Sequence, residues 1–326
     1  MIIKRLLTVL TFVVVCFASS SYAQQNSSRI QLADPTIFYS ANTYFLYGTG
    51  SKPYHDGFVV YTSKDLKNWQ GPAGATNGYA LAKGDAFGNA KFWAPQVFQY
   101  KNKFYMAYTA NEHIAIARSD SPLGPFKQTT KSTLIEGEKR IDPYVFIDED
   151  DKKYLYHVVV ANGGNRIFVA ELKDDFSGIK SETLKECIAA TEHWENTEND
   201  KWSVTEGPTV VKENDTYYLL YSANHFKSKD YAVGYATSKS PFGPWIKSSE
   251  SPIISRNNIG QNGVGHGDLF KDKSGKWKYV FHSHFSENAI GPRLTAIVDV
   301  ENLNKKNKSK VKVKSQSFYF LEKLHD

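Results

Sequence analysis

The stretch ADPTIFYSANTYFLYGTG, residues 33–50, contains the pattern that decides the fold of this chain. A short strand-forming stretch opens at Asp34-Pro35, a polar turn follows at residues 40–42, and an aromatic-rich stretch comes after the turn. Runs of aromatic and β-branched residues bounded by polar turn residues are typical of paired antiparallel strands. The segment therefore predicts a β-hairpin.

Four further segments repeat this order of short strand, turn and aromatic-rich strand. The aromatic-rich parts lie at residues 101–111, 150–162, 213–224 and 273–284. The repeats are spaced by 60, 48, 65 and 60 residues when their register marks are Pro35, Pro95, Pro143, Pro208 and Asp268. A unit of about four short strands at ~40–65-residue spacing is typical of a β-propeller blade. The sequence thus predicts an all-β fold, a five-bladed β-propeller in a single domain.

The first 23 residues are predicted to be a cleaved secretory signal peptide. Lys4 and Arg5 precede an apolar run over residues 6–18, and small residues precede a cut before Gln24. The run is shorter than the ~20 residues that cross a bilayer, which argues against a membrane anchor. We therefore expect an exported protein, periplasmic or secreted, whose propeller occupies residues 24–326.

Composition and charge narrow the classes of partner. The chain has 20 tyrosines and 20 phenylalanines, which favour strands, and a formal charge of only +6 over 326 residues. Such a mild charge, without a basic stripe interleaved with aromatics outside the C-terminal lysines at residues 305–314, gives no support to nucleic-acid binding. Cys187 would be the one cysteine left after cleavage, so no intramolecular disulfide is expected. We expect a monomer.

Acidic residues stand at the start of three of the five predicted inner strands. Asp34 and Asp142 each precede a proline, and Glu206 lies two residues before Pro208. Equivalent ends of the inner strands of a propeller converge on one end of its central channel. One Asp-Pro alone is an ordinary turn opener, but three like charges in one funnel destabilise a fold. The trio therefore favours catalysis by a general base and a general acid.

The ordered motifs resemble those of glycoside hydrolase family 43. They are ADPTI at 33–37, FWAPQV at 92–97, IDPYV at 141–145, TEGP at 205–208 and GHGD at 265–268. The resemblance covers nearly the whole mature chain and implies a five-bladed propeller, an inverting mechanism and arabinose- or xylose-containing substrates, less often galactose. It implies that Asp34 is the general base, Asp142 the pKa modulator and Glu206 the general acid. For an inverting pair we expect the carboxyls of Asp34 and Glu206 to lie ~6.5–9.5 Å apart.

Five further residues are candidate substrate-binding residues. Trp93 and Phe92 open the second blade, and aromatic faces stack well on sugars. Arg293 matches a family arginine that hydrogen-bonds substrate hydroxyls, and His225 is expected at the rim. The resemblance implies that His266 lies near the channel axis, where it orients water or ligates a structural calcium ion; the alternative is a hydrogen-bonded inner histidine. No cofactor is expected to be required.

The leading functional prediction is an exo-acting α-L-arabinofuranosidase or β-xylosidase. The chain ends soon after its fifth repeat, without the second β-sandwich domain of many xylosidases in the resembled family, which argues against a plain β-xylosidase. An endo-arabinanase or galactanase of the same fold stays open. A non-catalytic carbohydrate-binding propeller is also an alternative, although it should lack an acid or a base and none is missing. Sialidases carry repeated Ser-x-Asp-x-Gly-x-Thr-Trp boxes, which this sequence resembles only loosely.

Overall fold

Nearly all regular structure in this protein is extended. The computed structural model describes residues 29–303 and 310–324. Its strands are β1 (Leu32–Ser40), β2 (Thr43–Gly50), β3 (Gly57–Val59), β4 (Tyr61–Ser63), β5 (Asn68–Gln70), β6 (Tyr79–Ala82), β7 (Trp93–Tyr100), β8 (Lys103–Ala110), β9 (His113–Ser119), β10 (Arg140–Ile147), β11 (Lys153–Ala161), β12 (Gly164–Glu171), β13 (Lys185–Ile188), β14 (Ser203–Glu213), β15 (Thr216–Ala223), β16 (Ala232–Ser238), β17 (Ile246–Lys247), β18 (Gly265–Lys271), β19 (Trp277–Ser283), β20 (Leu294–Glu301), β21 (Lys312–Phe320) and β22 (Glu322–Lys323).

Among the described residues, helical structure is confined to short connections. They are α1 (Arg256–Ile259) and 3₁₀ turns at Ser181–Thr183 and His193–Glu195. Within the described ranges, none of the helices is long and apolar enough to cross a membrane. The predicted signal peptide at residues 1–23 lies outside the described residues.

Each aromatic-rich repeat forms an antiparallel hairpin, as the sequence predicts. In the first, β1 pairs with β2 across the two turn residues Ala41 and Asn42, whose φ angles are 46° and 58°. Two consecutive residues with left-handed backbone form a two-residue hairpin turn whose twist has the same hand as that of the two flanking strands. The aromatic side chains of the second strand, such as Tyr44 and Tyr47, are fully buried between neighbouring sheets. The hairpin is therefore held by packing on both faces.

The hairpins grow into five blades. Antiparallel pairing gives the strand sets β1-β2-β4-β5, β7-β8-β9, β10-β11-β12-β13, β14-β15-β16-β17 and β18-β19-β20-β21. The first strand of each set is innermost, and these five strands contact one another in a closed order around one axis. The predicted all-β, five-bladed propeller is confirmed.

Five hydrophobic clusters hold the ring together, one between each pair of adjacent blades. The cluster between the last and first blades packs Leu46 and Trp69 against Val280 and Ile297. Burial of apolar surface stabilises by roughly 25 cal/mol per Å², so each interface is a core in its own right. The ring is closed by packing between its two chain ends.

The C-terminal segment adds a backbone connection to this closure. After β21 completes the fifth blade, β22 pairs in parallel with β5 of the first blade. Leu321 lies between them, fully buried, and its carbonyl accepts a hydrogen bond of 2.9 Å from the Ile30 N–H. The first and fifth blades therefore share a strand edge as well as a core.

Every inner strand is interrupted by a β-bulge at the same level of the channel. The bulged residues have φ angles between 40° and 59°, and they are Asp34, Ala94, Asp142, Gly207 and His266. A bulge bends its strand and re-aims a side chain, and Asp and His tolerate positive φ better than most residues. The bulges turn the inner-strand ends toward the mouth of the channel.

The bulge positions correct one register assignment. In the fifth blade His266 occupies the bulge, so Gly267 rather than Asp268 corresponds to the prolines of the other blades. The sequence-based register mark at Asp268 was wrong by one residue. Its carboxylate lies one layer deeper, where the hydroxyls of Thr36 and Thr209 donate to it at 2.6 and 2.7 Å. Asp268 thus ties the fifth blade to the first and fourth.

We predict that the C-terminal closure contributes strongly to stability. Leu321→Ala should lower the free energy of unfolding by ~2–5 kcal/mol because it leaves a cavity at a fully buried site. Leu324→Ala, at a side chain that is 41% exposed, is the matched control and should change it by less than ~0.5 kcal/mol. Urea unfolding measures both. Equal effects would show that Leu321 does not close the ring.

Candidate active site

The bulged residues are fixed by hydrogen bonds from one blade to the next. The N–H of Ala94 donates to the Thr49 hydroxyl and the N–H of Asp142 to the Thr109 hydroxyl, both at 2.9 Å. The same contact recurs twice. The backbone N–H of Asp34 donates to His282 Nδ1 at 3.1 Å, and the backbone N–H of His266 donates to the Ser222 hydroxyl at 2.7 Å. Buried N–H groups need such partners, so the second strand of each of these blades positions the bulge of the following blade.

The third blade departs from this pattern. Val158 lies opposite Ile141, the position that Thr49, Thr109, Ser222 and His282 hold in the other blades. A valine side chain cannot accept a hydrogen bond, and the Gly207 N–H instead donates to Asp142 Oδ2 at 3.3 Å. The apolar exception therefore links the Asp142 carboxyl to the backbone next to Glu206.

Asp34 lies beside the Arg293 guanidinium and two histidine rings. Arg293 donates to its Oδ1 at 3.0 Å, and the Thr49 hydroxyl donates to its Oδ2 at 2.6 Å. Burial by itself raises the pKa of Asp34, but Arg293, His266 and His282 outweigh it and hold that pKa well below its usual range. Asp34 is therefore ionised wherever the protein is folded at ordinary pH.

Glu206 is buried with two neutral partners. The Tyr231 hydroxyl donates to its Oε1 at 2.8 Å, and the Asn165 side-chain amide donates to its Oε2 at 3.2 Å. Burial, helped by the charge of Asp34, raises the pKa of Glu206 to about 7, against the opposing effect of these hydrogen bonds. Glu206 can therefore carry a proton near neutral pH.

Asp142 resembles Glu206 rather than Asp34 in its electrostatic environment. Burial raises its pKa well above the usual value, and the charges of Glu206 and Asp34 raise it further. The Gly207 N–H and Arg293 act in the opposite direction. Together the three carboxyls provide one fixed negative charge and a pair that retains protons more strongly than free carboxylates do.

The three carboxyls face one pocket of about 400 Å³. Each is less than a tenth exposed, and the pocket receives residues from all five blades. Trp93, Trp202 and Phe226 give it aromatic walls, which suit the apolar faces of a sugar ring. The remaining lining residues are Glu112, Lys139, Ile141, Val160, Asn165, Val204, His225, His266 and Arg293. The structure thus brings together most of the predicted site residues.

Phe92 is the exception among them. Its side chain is 2% exposed and lies in the core between the first and second blades. Its ring stacks with Tyr108 and meets Phe58 edge-on. The prediction that Phe92 lines the pocket was wrong. Successive side chains along an extended chain point to opposite faces, so Trp93 faces the channel and Phe92 faces the interface between the two sheets.

Arg293 and His225 lie on the same side of the mouth. The Arg293 guanidinium stacks over the Phe226 ring at 4.8 Å while it contacts Asp34. The exposed His225 ring stacks on Phe226 as well. A planar guanidinium held by an aromatic face has its remaining donors fixed in direction, so Arg293 offers the pocket oriented N–H groups.

His266 has the surroundings of a hydrogen-bonding histidine. Its Nδ1 lies 3.4 Å from Asp34 Oδ1 and 3.8 Å from Asp142 Oδ2, and burial lowers the pKa of its ring. Calcium takes six to eight oxygen ligands. Among residues 29–303 and 310–324, no group of three or more His, Cys, Asp or Glu side chains is arranged to hold a metal ion. Calcium at His266 therefore stays a prediction, without a donor set in these residues.

Sequence reasoning did not identify several residues that act on the carboxyls. The Tyr231 hydroxyl donates to Glu206, and His282 Nδ1 lies 3.3 Å from Asp34 Oδ1. Both residues are far from these acids in the sequence, and no local signal marks either one. Asn165 is the second residue of β12 and is also distant from Glu206 in the chain. Trp202 could have been identified from the sequence as a sugar-binding candidate. It is a tryptophan in a polar stretch, four residues before the predicted acid Glu206, and tryptophan faces stack on sugars.

The arrangement has the parts of an acid–base catalyst. It offers an ionised carboxylate, a carboxyl that can hold a proton near neutral pH, and an aromatic-walled space lined by residues of all five blades. Hydrolysis of a bond between two sugars needs a base that activates water and an acid that protonates the leaving oxygen. The site therefore has the groups that this reaction requires.

Comparison with known proteins gives a consistent result. The sequence profile of the glycosyl hydrolases family 43 matches residues 28–301. The solved structure of an endo-1,4-β-xylanase from Bacteroides thetaiotaomicron is 40% identical, with a TM-score of 0.84, and the match covers 92% of this chain and 100% of that one. This level of identity extends the likeness beyond the fold to the sequence.

Two curated relatives are more distant. A β-D-galactofuranosidase of Aspergillus niger is 25% identical over 285 residues, which is 81% of this chain and 78% of that protein. A non-reducing end α-L-arabinofuranosidase of Bacteroides ovatus is 26% identical over 260 residues, 75% of this chain and 44% of that protein. This chain therefore spans less than half the length of the second relative.

We predict a pH-dependent stability difference between the wild type and Glu206→Gln. Folding raises the pKa of Glu206 from its usual 4.5 to about 7, so the folded state binds more protons between these values. The wild type should therefore lose stability relative to the variant as pH rises from 4.5 to 7, by ~1–3 kcal/mol. Urea unfolding across this range tests it, with the exposed Glu287→Gln as control. A difference that does not vary with pH would contradict the assignment of the proton.

Proposed function

The chain belongs to the glycosyl hydrolases family 43, and we propose that it is an inverting, exo-acting glycosidase that releases arabinose or xylose from the ends of plant oligosaccharides or polysaccharides. The observation that carries this proposal is the unequal surroundings of Asp34 and Glu206, two buried carboxyls that face one pocket. Arg293 favours an ionised Asp34, whereas burial favours a proton on Glu206. These are the two states that a base and an acid need at one pH.

In the proposed mechanism, Asp34 takes a proton from a water molecule that attacks the anomeric carbon. Glu206 gives its proton to the glycosidic oxygen as that bond breaks, so the leaving sugar departs as an alcohol. In this proposal Asp142 takes no part in either proton transfer and orients the acid, because its Oδ2 accepts a hydrogen bond from the N–H of Gly207, directly after Glu206. The charges of Asp142 and Glu206 also act on one another. Inversion requires water between base and sugar, and the ~6.5–9.5 Å separation of Asp34 and Glu206 stays a prediction.

Release from a chain end is supported by the names of the distant relatives and by the size of the pocket. One relative acts on non-reducing arabinofuranose ends and another on galactofuranosides. A pocket of about 400 Å³ lies near the lower end of small-ligand sites, which suits one or two sugar units. An α-L-arabinofuranosidase or a β-xylosidase fits both observations.

A second candidate is an endo-acting enzyme on xylan. It is favoured by one finding, the 40% identity over the full length of an endo-1,4-β-xylanase structure. An endo enzyme would bind several sugars on both sides of Glu206, with Trp93 and Trp202 on the two walls of a longer path. End-group analysis separates the candidates, because an exo enzyme yields monosaccharide from the first turnover.

The proposal includes export. Cleavage after residue 23 would place the enzyme in the periplasm or outside the cell, where polymeric plant glycans are accessible. We propose that it acts there as a monomer on oligosaccharide or polysaccharide substrates.

The mechanism predicts inverted product. With aryl α-L-arabinofuranoside or aryl β-xyloside as substrate, the first sugar detected by proton NMR should have the opposite anomeric configuration, before mutarotation equilibrates it. Glycan chains should yield free pentose first and no intermediate oligosaccharides. First-formed product with retained configuration would rule out the proposed roles of Asp34 and Glu206.

Substitutions separate the acid from the base. Glu206→Gln should lower kcat/KM on a natural glycan by at least about 10³-fold and much less on an aryl glycoside, whose leaving group needs little protonation. Asp34→Asn should lower both to a similar extent, because each substrate needs activated water. Comparable losses on both substrates for Glu206→Gln, or substantial residual activity for Asp34→Asn, would refute the respective role.

A further inference from the structure

We propose that Trp202 and Asn165 form a positioning relay that decides which oxygen of Glu206 carries the catalytic proton. The inference rests on the proposed function, since it concerns the acid of that reaction. The chain of contacts runs from the Trp202 indole N–H to Asn165 Oδ1 at 3.0 Å, and from Asn165 Nδ2 to Glu206 Oε2 at 3.2 Å. Trp202 lies at the pocket wall and Glu206 lies deeper in the pocket, so the relay connects an exposed surface to the acid.

The backbone around Asn165 is fixed from both sides. Gly164 and Asn165 of β12 pair in parallel with Ser203 and Val204 of β14. The contact is close enough that a Cβ on Gly164 would lie 2.8 Å from the Ser203 carbonyl oxygen. The buried Thr205 hydroxyl also donates to the Asn165 carbonyl at 3.1 Å. The side chain of Asn165 therefore starts from a backbone that cannot drift away from Glu206.

Trp202 fixes the orientation of the Asn165 amide. An indole N–H can only donate, whereas an amide has a donating and an accepting end. The end that faces Trp202 must be the oxygen, which leaves the NH₂ group facing Glu206. The same side chain without Trp202 could turn its oxygen toward Glu206 instead, since the two ends have nearly the same shape.

The fixed amide then selects one oxygen of Glu206. Oε2 faces an N–H donor, so a proton on Oε2 would point at another hydrogen. Oε1 faces the Tyr231 hydroxyl at 2.8 Å, and a hydroxyl can rotate to accept as well as donate. The proton of the acid therefore sits on Oε1, next to Tyr231, and Oε2 remains the accepting oxygen.

Tyr231 is itself held in place. Its ring is fully buried and stacks on His282 at 5.7 Å. Gly265 permits this position, because a Cβ there would lie 2.4 Å from the ring. The proton on Oε1 thus has a rigid neighbour on one side and the pocket on the other, where a glycosidic oxygen would approach.

Other charged groups also act on Glu206, and substitutions in the relay leave these groups in place. Asp34 favours the protonated acid, and Arg293 favours the ionised one. The buried carboxyl of Asp142 interacts electrostatically with Glu206 as well. The titratable or charged groups lining the same pocket are Glu112, Lys139, His225 and His266. None of these is altered by substitutions at Trp202 or Asn165, so a shift of the titration of Glu206 in those variants reports on the relay.

The exposure of Trp202 gives the relay a link to substrate. Its side chain is 46% exposed and lines the pocket. A sugar that stacks on the indole face would hold the ring in the orientation that the Asn165 contact requires. Occupation of this wall would then favour the orientation of the acid that protonation of the leaving oxygen needs.

The test is direct titration of Glu206 together with pH–rate profiles. Carbon-13 NMR of carboxyl-labelled protein, with Glu206→Gln to assign the signal, follows the acid without turnover. Trp202→Phe keeps an aromatic wall but frees the amide, and Asn165→Leu removes it. Both should raise the apparent pKa of Glu206 by about 1 unit. Asn165→Leu removes the donor to the carboxylate, and Trp202→Phe lets the amide turn its oxygen toward the carboxylate in place of its NH₂ group. The alkaline limb of kcat/KM should move to higher pH by the same amount.

The matched control is Trp277→Phe. It exchanges the same residue types in the core between the fourth and fifth blades and removes an indole N–H that has no partner among the described residues. It should leave the titration of Glu206 and the alkaline limb unchanged. Loss of stacking alone in Trp202→Phe would raise KM at every pH without moving the limb.

Three results would overturn the relay. They are an unchanged Glu206 titration in both variants, a shift in Asn165→Leu without one in Trp202→Phe, and a downward shift in either. The relay and the proposed function can fail separately. If the wild type hydrolyses no glycoside but the two variants show the upward shifts of the Glu206 pKa, the proposed function is contradicted and the placement of the proton is not.

Discussion

The structure depends on one requirement, that the backbone N–H at each inner-strand bulge be satisfied away from water. A buried unsatisfied N–H costs free energy comparable to a lost hydrogen bond. Four bulges meet the requirement with a side chain from the preceding blade, so the blades fix one another's inner ends in order around the ring. The fifth N–H, at Gly207, goes to the Asp142 carboxyl because Val158 offers no acceptor. Architecture and site chemistry therefore share the same contacts.

Burying three carboxyls in one mouth is unfavourable, and the structure offsets the cost unequally. Arg293 and two histidines stabilise a charge on Asp34, whereas Glu206 has only neutral hydrogen-bond partners. One carboxyl is thereby held ionised and another favours its proton. The inequality arises from where Arg293 and the two histidines lie, since all three carboxyls are buried to a similar extent.

The aromatic wall of the pocket depends on an anchor outside the blades' regular strands. The segment before β14 is held by Glu195, whose fully buried carboxylate accepts from the Tyr221 hydroxyl and from Lys247, both at 2.5 Å. Its backbone carbonyl accepts from Asn224 at 3.1 Å. This buried ion pair fixes the path of the chain that leads to Trp202. A structural contact in the fourth blade therefore helps to set the position of the indole that hydrogen-bonds to Asn165, next to Glu206.

The sequence by itself determined the repeat, and with it the number of blades and the candidate acids. Strand and turn signals are local, and five copies of one pattern reinforce each other, which is why Asp34, Asp142 and Glu206 could be named from their positions in the repeats. The error at Asp268 arose because the fifth repeat lacks the proline that marks the bulge elsewhere. Phe92 was misplaced because the facing of a side chain reverses with every residue along a strand. Only the tertiary structure decided the contacts of Arg293, Tyr231, Asn165 and His282 with the acids, because these contacts join residues from different blades and carry no local sequence signal.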